Sequence, residues 1–299
     1  MRGWWQDLTD LVLPAECGGC GTPRTVLCAE CRAALSGAVP RRVRPVPEPP
    51  GLPAVYAAAP YADEVRAALL AHKERGALAL AGALGGTLAG AVRAGLRDGR
   101  TVRIVGSWSG TADGAAASGP VLLVPVPSAP WAVRARGHDP VRRIALAAAA
   151  ELRRAGTPAR VAPVLRQRRA VADQAGLNSR QRFANIAGAL EVTAYGARLL
   201  AGGRVVLVDD LVTTGATLAE AARAVREAAA GAAGAGEGTT AVYRRAAWAG
   251  REERKAGPGD GPAKWRRETP GLAEVNGLAE SVRAAVVAAA PDSFEMNRN

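Results

Sequence analysis

Thirteen consecutive residues, from Val205 to Thr217, form the segment with the clearest chemical potential. An apolar run ends in two adjacent acids, Asp209 and Asp210, and small hydroxylic residues follow them. Ligands of open parallel sheets bind beyond the carboxyl ends of the strands, which is where these acids are expected. Carboxylates at that edge suit the hydroxyl groups of a sugar or a divalent cation.

The stretch after the acids has the composition of a phosphate-binding turn. Its residues are Thr213, Thr214, Gly215, Ala216 and Thr217. A helix is predicted to follow, and the N–H groups of a helix N-terminus attract phosphate, while a glycine permits its close approach. Acids and turn together predict a pocket for ribose 5-phosphate. The alternative is a strand followed by an N-capped helix, with both acids in solvent.

A second loop carries arginines. Arg134 and Arg136 precede Gly137, after an apolar run that ends at Val126 and before a helix predicted from Val141. A pyrophosphate group is held by cations together with backbone donors or Mg²⁺. This loop is therefore predicted to bind pyrophosphate.

The net charge of +12 is unevenly distributed. Residues 121–202 contain 13 arginines against four acids, so that nine of the twelve net positive charges lie there. A concentrated positive charge favours a site for anions over a uniform coat that binds nucleic acid loosely.

All four cysteines lie within the first 36 residues. They are Cys17, Cys20, Cys28 and Cys31, two Cys-x2-Cys pairs separated by seven residues. This spacing is typical of a zinc site with four thiolate ligands. An iron–sulfur cluster is the second interpretation, and four unrelated thiols are the third.

The order of predicted elements indicates an α/β fold, a parallel sheet flanked by helices. Strands are predicted over Ala54–Ala59, Val121–Val126, Val161–Leu165, Val205–Val208 and Thr239–Tyr243. Helices are predicted over about Ala62–His72, Ala77–Arg97, Val141–Arg154, Thr217–Ala229 and Leu272–Ala289. His72 lies beside Lys73 and Glu74, which predicts a surface position.

Four regions are expected along the chain. They are a four-cysteine module over 1–36, an extended Pro/Arg-rich linker over 37–53, a main domain over 54–249 with a Gly/Ser-rich insertion at about 98–120, and a flexible link with a C-terminal helix over 250–299.

The cellular location is predicted from what the sequence lacks. Gly76–Val92 is the longest uncharged stretch of note, but its 17 residues are mostly Ala and Gly, so no membrane span is predicted. Asp7 and Asp10 interrupt the place where a secretory signal would be apolar. A cytoplasmic protein with reduced cysteines is expected.

Two of these segments resemble a known family. Val205–Thr217 is similar to the 5-phosphoribosyl-1-pyrophosphate (PRPP) signature of type I phosphoribosyltransferases. Val124–Val141 is similar to the pyrophosphate loop of that family. At one point the loop differs, because His138 and Asp139 stand where the family carries Phe or Tyr and then Asn.

Over about residues 10–249, the chain resembles one branch of that family, the competence protein F (ComF) family. The four-cysteine module and a Tyr-x-x-x-Val-Arg stretch, here Tyr61 to Lys73, carry part of this resemblance. The segment before the PRPP signature carries the rest, through Gln174, Leu177, Arg180, Arg182 and Asn185.

The resemblance implies a type I phosphoribosyltransferase-like fold with a small zinc-ribbon-like module. It implies that Asp209 and Asp210 hold the ribose hydroxyls of PRPP or a 5-phosphoribosyl nucleotide, with Mg²⁺ bound to the ligand and structural Zn²⁺ in the module. Transfer of a phosphoribosyl group is the leading hypothesis, and no acceptor is indicated. A PRPP or nucleotide sensor without catalysis is one alternative. The other is an accessory protein of DNA uptake that contacts single-stranded DNA or a competence protein. A homodimer is left open.

Overall fold

A mostly parallel sheet of six strands dominates the computed structural model, which describes residues 16–98, 119–169, 171, 179–231 and 282–295. Its strands are β1 (Arg41–Val43), β2 (Ala54–Pro60), β3 (Val121–Pro125), β4 (Ala159–Val161), β7 (Arg204–Val212) and β8 (Arg283–Ala289). They are ordered β1-β2-β8-β7-β3-β4, and β1 is the antiparallel edge strand. A separate antiparallel pair consists of β5 (Leu165–Gln167) and β6 (Leu190–Val192).

Helices cover both faces of the sheet. They are α1 (Ala29–Ser36), α2 (Asp63–Glu74), α3 (Ala81–Arg97), α4 (Pro130–Arg136), α5 (Pro140–Arg154), α6 (Ser179–Ile186), α7 (Ala194–Leu200), α8 over 216–231 and α9 (Pro291–Glu295), with a 3₁₀ turn at Leu78–Leu80. Side chains alternate between the faces of a strand. In β7, Val206 and Val208 pack with α2, α3 and α5, whereas Val205 and Leu207 pack with α8. The described residues therefore form an α/β fold with two apolar layers.

The predicted C-terminal helix is wrong where the structure describes it. Leu272–Ala289 was expected to be helical, but 283–289 form β8, which lies between β2 and β7 in the middle of the sheet. All seven residues of β8 are buried. Alanine favours helices in isolation, but a position flanked by strands and covered on both faces overrides that preference. Residues 272–281 lie outside the described part of the chain.

Two shorter predictions also require correction. The linker over 37–53 was expected to be extended and solvated, but Arg41–Val43 pair with β2 and the side chain of Val43 is buried. The strand predicted over Val161–Leu165 is two strands, since Ala162 to Val164 turn the chain from β4 into β5. The predicted strand Thr239–Tyr243 and residues 99–118 of the insertion lie outside the described residues.

Helix α3 lies against α5 at unusually close range. A Cβ on Gly85 would come within 2.4 Å of Ala147 Cβ and 2.8 Å of Ala148 N, so that only glycine fits. By length and composition alone, residues Leu78–Arg97 could cross a membrane, and half of the most apolar window is buried within the fold. A buried core helix has these same properties.

Candidate functional site

The acids of the apolar segment lie near the end of β7, beyond the end of its neighbour β3. The pairing of β7 with β3 runs as far as Val208, which faces Pro125, whereas the pairing with β8 continues to Val212. Asp209 and Asp210 therefore lie inside a strand, and not after it as the sequence predicted. Because β3 ends before the acids, the edge of β7 that faces β3 is not paired with it at Asp209 and Asp210.

The two carboxyl groups differ in their surroundings. Asp210 is buried, and its Oδ2 accepts a hydrogen bond from Lys73 Nζ at 3.0 Å. Asp209 Oδ1 accepts from the backbone N–H of Asp210 at 2.8 Å. Burial and the adjacent charge of Asp210 raise the pKa of Asp209 above its usual range. Two carboxyl groups this close favour a cation or hydroxyl donors as partners.

The predicted phosphate turn connects β7 to α8. Its residues 213–217 line a small open pocket together with Asp209. Thr213 is exposed, Thr214 and Thr217 are half-buried, and Gly215 and Ala216 are buried. Gly215 has a φ of 74°, and a Cβ there would come within 3.1 Å of Leu52 and Pro45. The linker thus packs against Gly215, and Thr213 is the part of the turn that is exposed to solvent.

The arginine loop follows β3, the strand beside β7, so both predicted loops leave the same edge of the sheet. Most of it forms α4, which ends at Gly137 with a φ of 73°. Arg136 donates two hydrogen bonds to the Glu74 carboxylate, at 3.0 and 3.1 Å. Arg134 is exposed. Asp139 caps α5, because its Oδ1 accepts from the N–H of Arg142.

The end of α2 contacts residues of both regions, β7 and the arginine loop, a position that the sequence motifs did not predict. Lys73 reaches Asp210, Glu74 reaches Arg136, and His72 is 1% exposed, so its predicted surface position is wrong. The pairing of Lys73 with Asp210 spans 137 positions in the sequence. The one sequence feature that included this region was the Tyr61 to Lys73 stretch of the family resemblance, which did not assign a function to Lys73.

A larger cavity, of about 340 Å³, lies apart from the acids. It opens between α6, α8 and the linker, and Glu220 and Arg223 line it. Glu220 Oε1 accepts from the N–H of Leu190 at 2.9 Å, and Arg223 donates to Leu190 O at 2.9 Å. These two side chains also bind each other, at 2.7 Å. They hold the β5–β6 pair against α8.

The four cysteines form a cluster that fits one metal ion. Their sulfur atoms all lie within 4.8 Å of one another, and Cys20 Sγ lies 3.6 Å from Cys28 Sγ. Thiolates at about 2.3 Å around a tetrahedral ion are about 3.8 Å apart. A Cβ on Gly19 would lie 2.5 Å from Cys31 Sγ. The cysteines are free of disulfides and could hold a metal ion.

The surroundings of the cluster differ from one thiol to another. Burial opposes ionisation of Cys17, but backbone hydrogen bonds lower the pKa of Cys17 to about 6. Burial and the neighbouring thiols raise the pKa of Cys31. Cys17 and Cys31 are packed in the same apolar layer as α2 and α3. A bound cation would favour the thiolate form at every position.

Comparison with models of known protein families finds no match, and comparison with curated proteins finds none either.

Proposed function

We propose that the chain is a phosphoribosyltransferase-like protein that binds PRPP or a related 5-phosphoribosyl ligand with Mg²⁺. The observation that supports this proposal is the edge shared by β7 and β3. One strand brings two acids and a threonine-rich turn to that edge, and its neighbour brings the arginine loop. A sugar that carries a phosphate at one end and a pyrophosphate at the other could contact the turn, the acids and the arginine loop at the same time.

Each part of the ligand has a candidate partner in this arrangement. Asp209 and Asp210 would accept hydrogen bonds from the ribose hydroxyls, at the part of β7 that lies beyond its pairing with β3. The turn over 213–217 would bind the 5-phosphate through hydroxyl and backbone N–H groups. Arg134 and Arg136 would bind the pyrophosphate, and Arg136 would exchange the carboxylate of Glu74 for it.

In the proposed reaction, the bond between ribose C1 and the pyrophosphate oxygen breaks, and its electron pair leaves with pyrophosphate. The acceptor nucleophile forms the new bond to C1. Mg²⁺, bound with PRPP, would supply charge neutralisation at the phosphate oxygens. The residues of the chain would orient the ribose and stabilise the negative charge of the leaving group.

We propose that the cysteine cluster holds structural Zn²⁺ as a ribbon-like module, since four thiolates at this spacing form a closed site. Its packing beside the end of α2 supports a structural role: Arg75, which follows that helix, reaches Gly18 O, and Leu80 of the 3₁₀ turn packs on Gly18. A nucleic-acid or competence partner, a homodimer and a cytoplasmic location stay predictions from the sequence.

Substitution of both acids tests the proposed function. Asp209→Asn with Asp210→Asn removes both carboxyl groups while it preserves side-chain volume, so PRPP affinity should fall at least tenfold, measured by calorimetry. Pyrophosphate release is then measured with a panel of purine and pyrimidine bases. Release supports transfer, whereas binding without release supports a sensor. Unchanged PRPP affinity in the folded double variant would contradict the assignment.

A further inference from the structure

Within the described residues, Lys73 makes a direct contact with one of the acids of β7. Its Nζ lies 3.0 Å from Asp210 Oδ2, and its side chain is 36% exposed. The negative charge of Asp210 raises the pKa of Lys73, while burial and the positive charge of Arg136 act against it. The ammonium group therefore lies within electrostatic range of both the acids and the arginine loop.

The backbone around Lys73 is held in place by the loop that follows β3. His72 is buried, and its Nε2 lies 3.4 Å from Pro140 O. Nε2 of His138 in turn lies 3.3 Å from His72 O, and the two rings meet edge to face at 5.9 Å. The ring of His72 thus contacts the backbone after the arginine loop, and the ring of His138 contacts the backbone at the end of α2.

The residue after Lys73 strengthens this connection. Glu74 accepts both hydrogen bonds of the Arg136 guanidinium, so consecutive residues of α2 contact the two halves of the site. Ribose C1, which carries the pyrophosphate, is bonded to C2, whose hydroxyl is assigned to the acids. A cation between the acids and Arg136 therefore lies where the pyrophosphate begins.

We propose that Lys73 is a further ligand-binding residue, whose ammonium group contacts the pyrophosphate at the end nearest ribose C1. This inference rests on the proposed function. In the free protein, Lys73 neutralises Asp210. With ligand bound, it donates to a pyrophosphate oxygen, and when the C1–O bond breaks, it stabilises the electron pair on the leaving oxygen without transferring a proton.

Two ligands separate this role from a purely structural one. PRPP and ribose 5-phosphate share the sugar and the 5-phosphate, but only PRPP carries pyrophosphate. In Lys73→Met, PRPP affinity with Mg²⁺ should fall about 10- to 100-fold, as for loss of a charged hydrogen bond, while affinity for ribose 5-phosphate stays within about twofold. Lys73→Arg, which keeps the positive charge, should retain most of the PRPP affinity.

The matched control is Arg154→Met at the far end of α5, which removes one positive charge from a side chain that is 72% exposed. Its affinities should equal those of the wild type. If Lys73→Met lowered the affinity for PRPP and for ribose 5-phosphate equally, Lys73 would only position Asp210. Unchanged PRPP affinity would mean that Lys73 does not contact the pyrophosphate. Either result overturns the inference alone. A wild-type chain that binds neither ligand overturns the proposed function as well.

Discussion

At the scale of single residues, the glycines between the first cysteines have two different structural roles. Gly21 adopts a φ of 81°, as expected for a tight turn. Gly18 and Gly19 instead provide space, because a Cβ on either would come within 2.5 Å of Leu80 or Cys31. The spacing of cysteines is a local pattern and could be predicted, whereas these close approaches depend on packing between distant segments.

A single cysteine substitution tests the metal site. Cys20 is exposed, so Cys20→Ser removes one ligand with little effect on the packing of the core. We expect the purified wild-type chain to carry about one zinc ion and Cys20→Ser to lose most of it, since a three-thiolate site binds more weakly. Metal analysis by mass spectrometry measures this content. Cys20→His should keep zinc, and full zinc content in Cys20→Ser would contradict the site.

At the scale of elements, one ion pair fastens the β5–β6 strands to α8. Glu220 and Arg223 bind the N–H and the C=O of Leu190. Burial opposes ionisation of Glu220, but hydrogen bonds from Arg223 and from backbone N–H groups outweigh it and lower the pKa of Glu220. The pair was not predicted, because its partner strand lies 30 positions away.

This lowered pKa predicts a pH dependence of stability. The unfolded chain binds the proton of Glu220 more readily than the folded chain does, so the contribution of Glu220 is complete above pH of about 4.5. It is lost as the pH falls through the lower pKa of the folded state. Glu220→Gln should therefore lower the free energy of unfolding by about 1–3 kcal/mol at neutral pH, and less in acid.

Urea unfolding of both chains from pH 7 to pH 3 measures this difference. The control is Glu191→Gln on β6, because its partner Arg166 is 66% exposed and the pair should contribute less than about 1 kcal/mol. A difference between wild type and Glu220→Gln that does not shrink in acid would show that the charge of Glu220 is not what stabilises this contact.

Strands could be predicted from the sequence only where the apolar run itself was sufficient evidence. β3, rich in Val and Leu, is confirmed at its predicted position, and so is β2 over Ala54–Ala59. β7 is confirmed where it was predicted, but it continues through both acids to Val212. β8 is mostly alanine, and its burial between β2 and β7 is not visible in any local pattern. The predicted helices α2, α3, α5 and α8 are confirmed to within a few residues, because their amphipathic periods are local.

At the scale of the whole molecule, β8 joins the two halves of the sheet. It pairs with β2 over Ala54–Pro60 and with β7 up to Val212. Residues 283–289 thus form a central strand of the sheet. The sequence had instead predicted a C-terminal helix outside the main domain.

Removal of β8 should therefore prevent folding. A chain that ends at residue 281 loses seven buried residues and removes one of the two partner strands of both β2 and β7, a loss that exceeds the stability of about 5–15 kcal/mol typical of a domain. We expect no cooperative thermal transition by circular dichroism. A chain that ends at Glu295 is the control and should melt as the full chain does. A cooperative transition in the shorter chain would contradict the central position of β8.

The candidate site combines residues that the sequence predicted with residues that only the packing of the fold brings there. The acids end the apolar run of β7, and the threonine turn and the arginine loop follow β7 and β3, so their common edge could be predicted from the order of elements. The contribution of α2 could not, because it arises from packing between Lys73, Glu74 and residues more than 60 positions away. Sequence reasoning thus found the loops and missed the helix between them.

Calorimetric titration of the full chain with PRPP, with and without Mg²⁺, tests the central claim most directly. The edge between β3 and β7 predicts saturable binding of about one PRPP per chain with Mg²⁺, and clearly weaker binding without it. Absence of binding at millimolar PRPP in the presence of Mg²⁺ would contradict the claim.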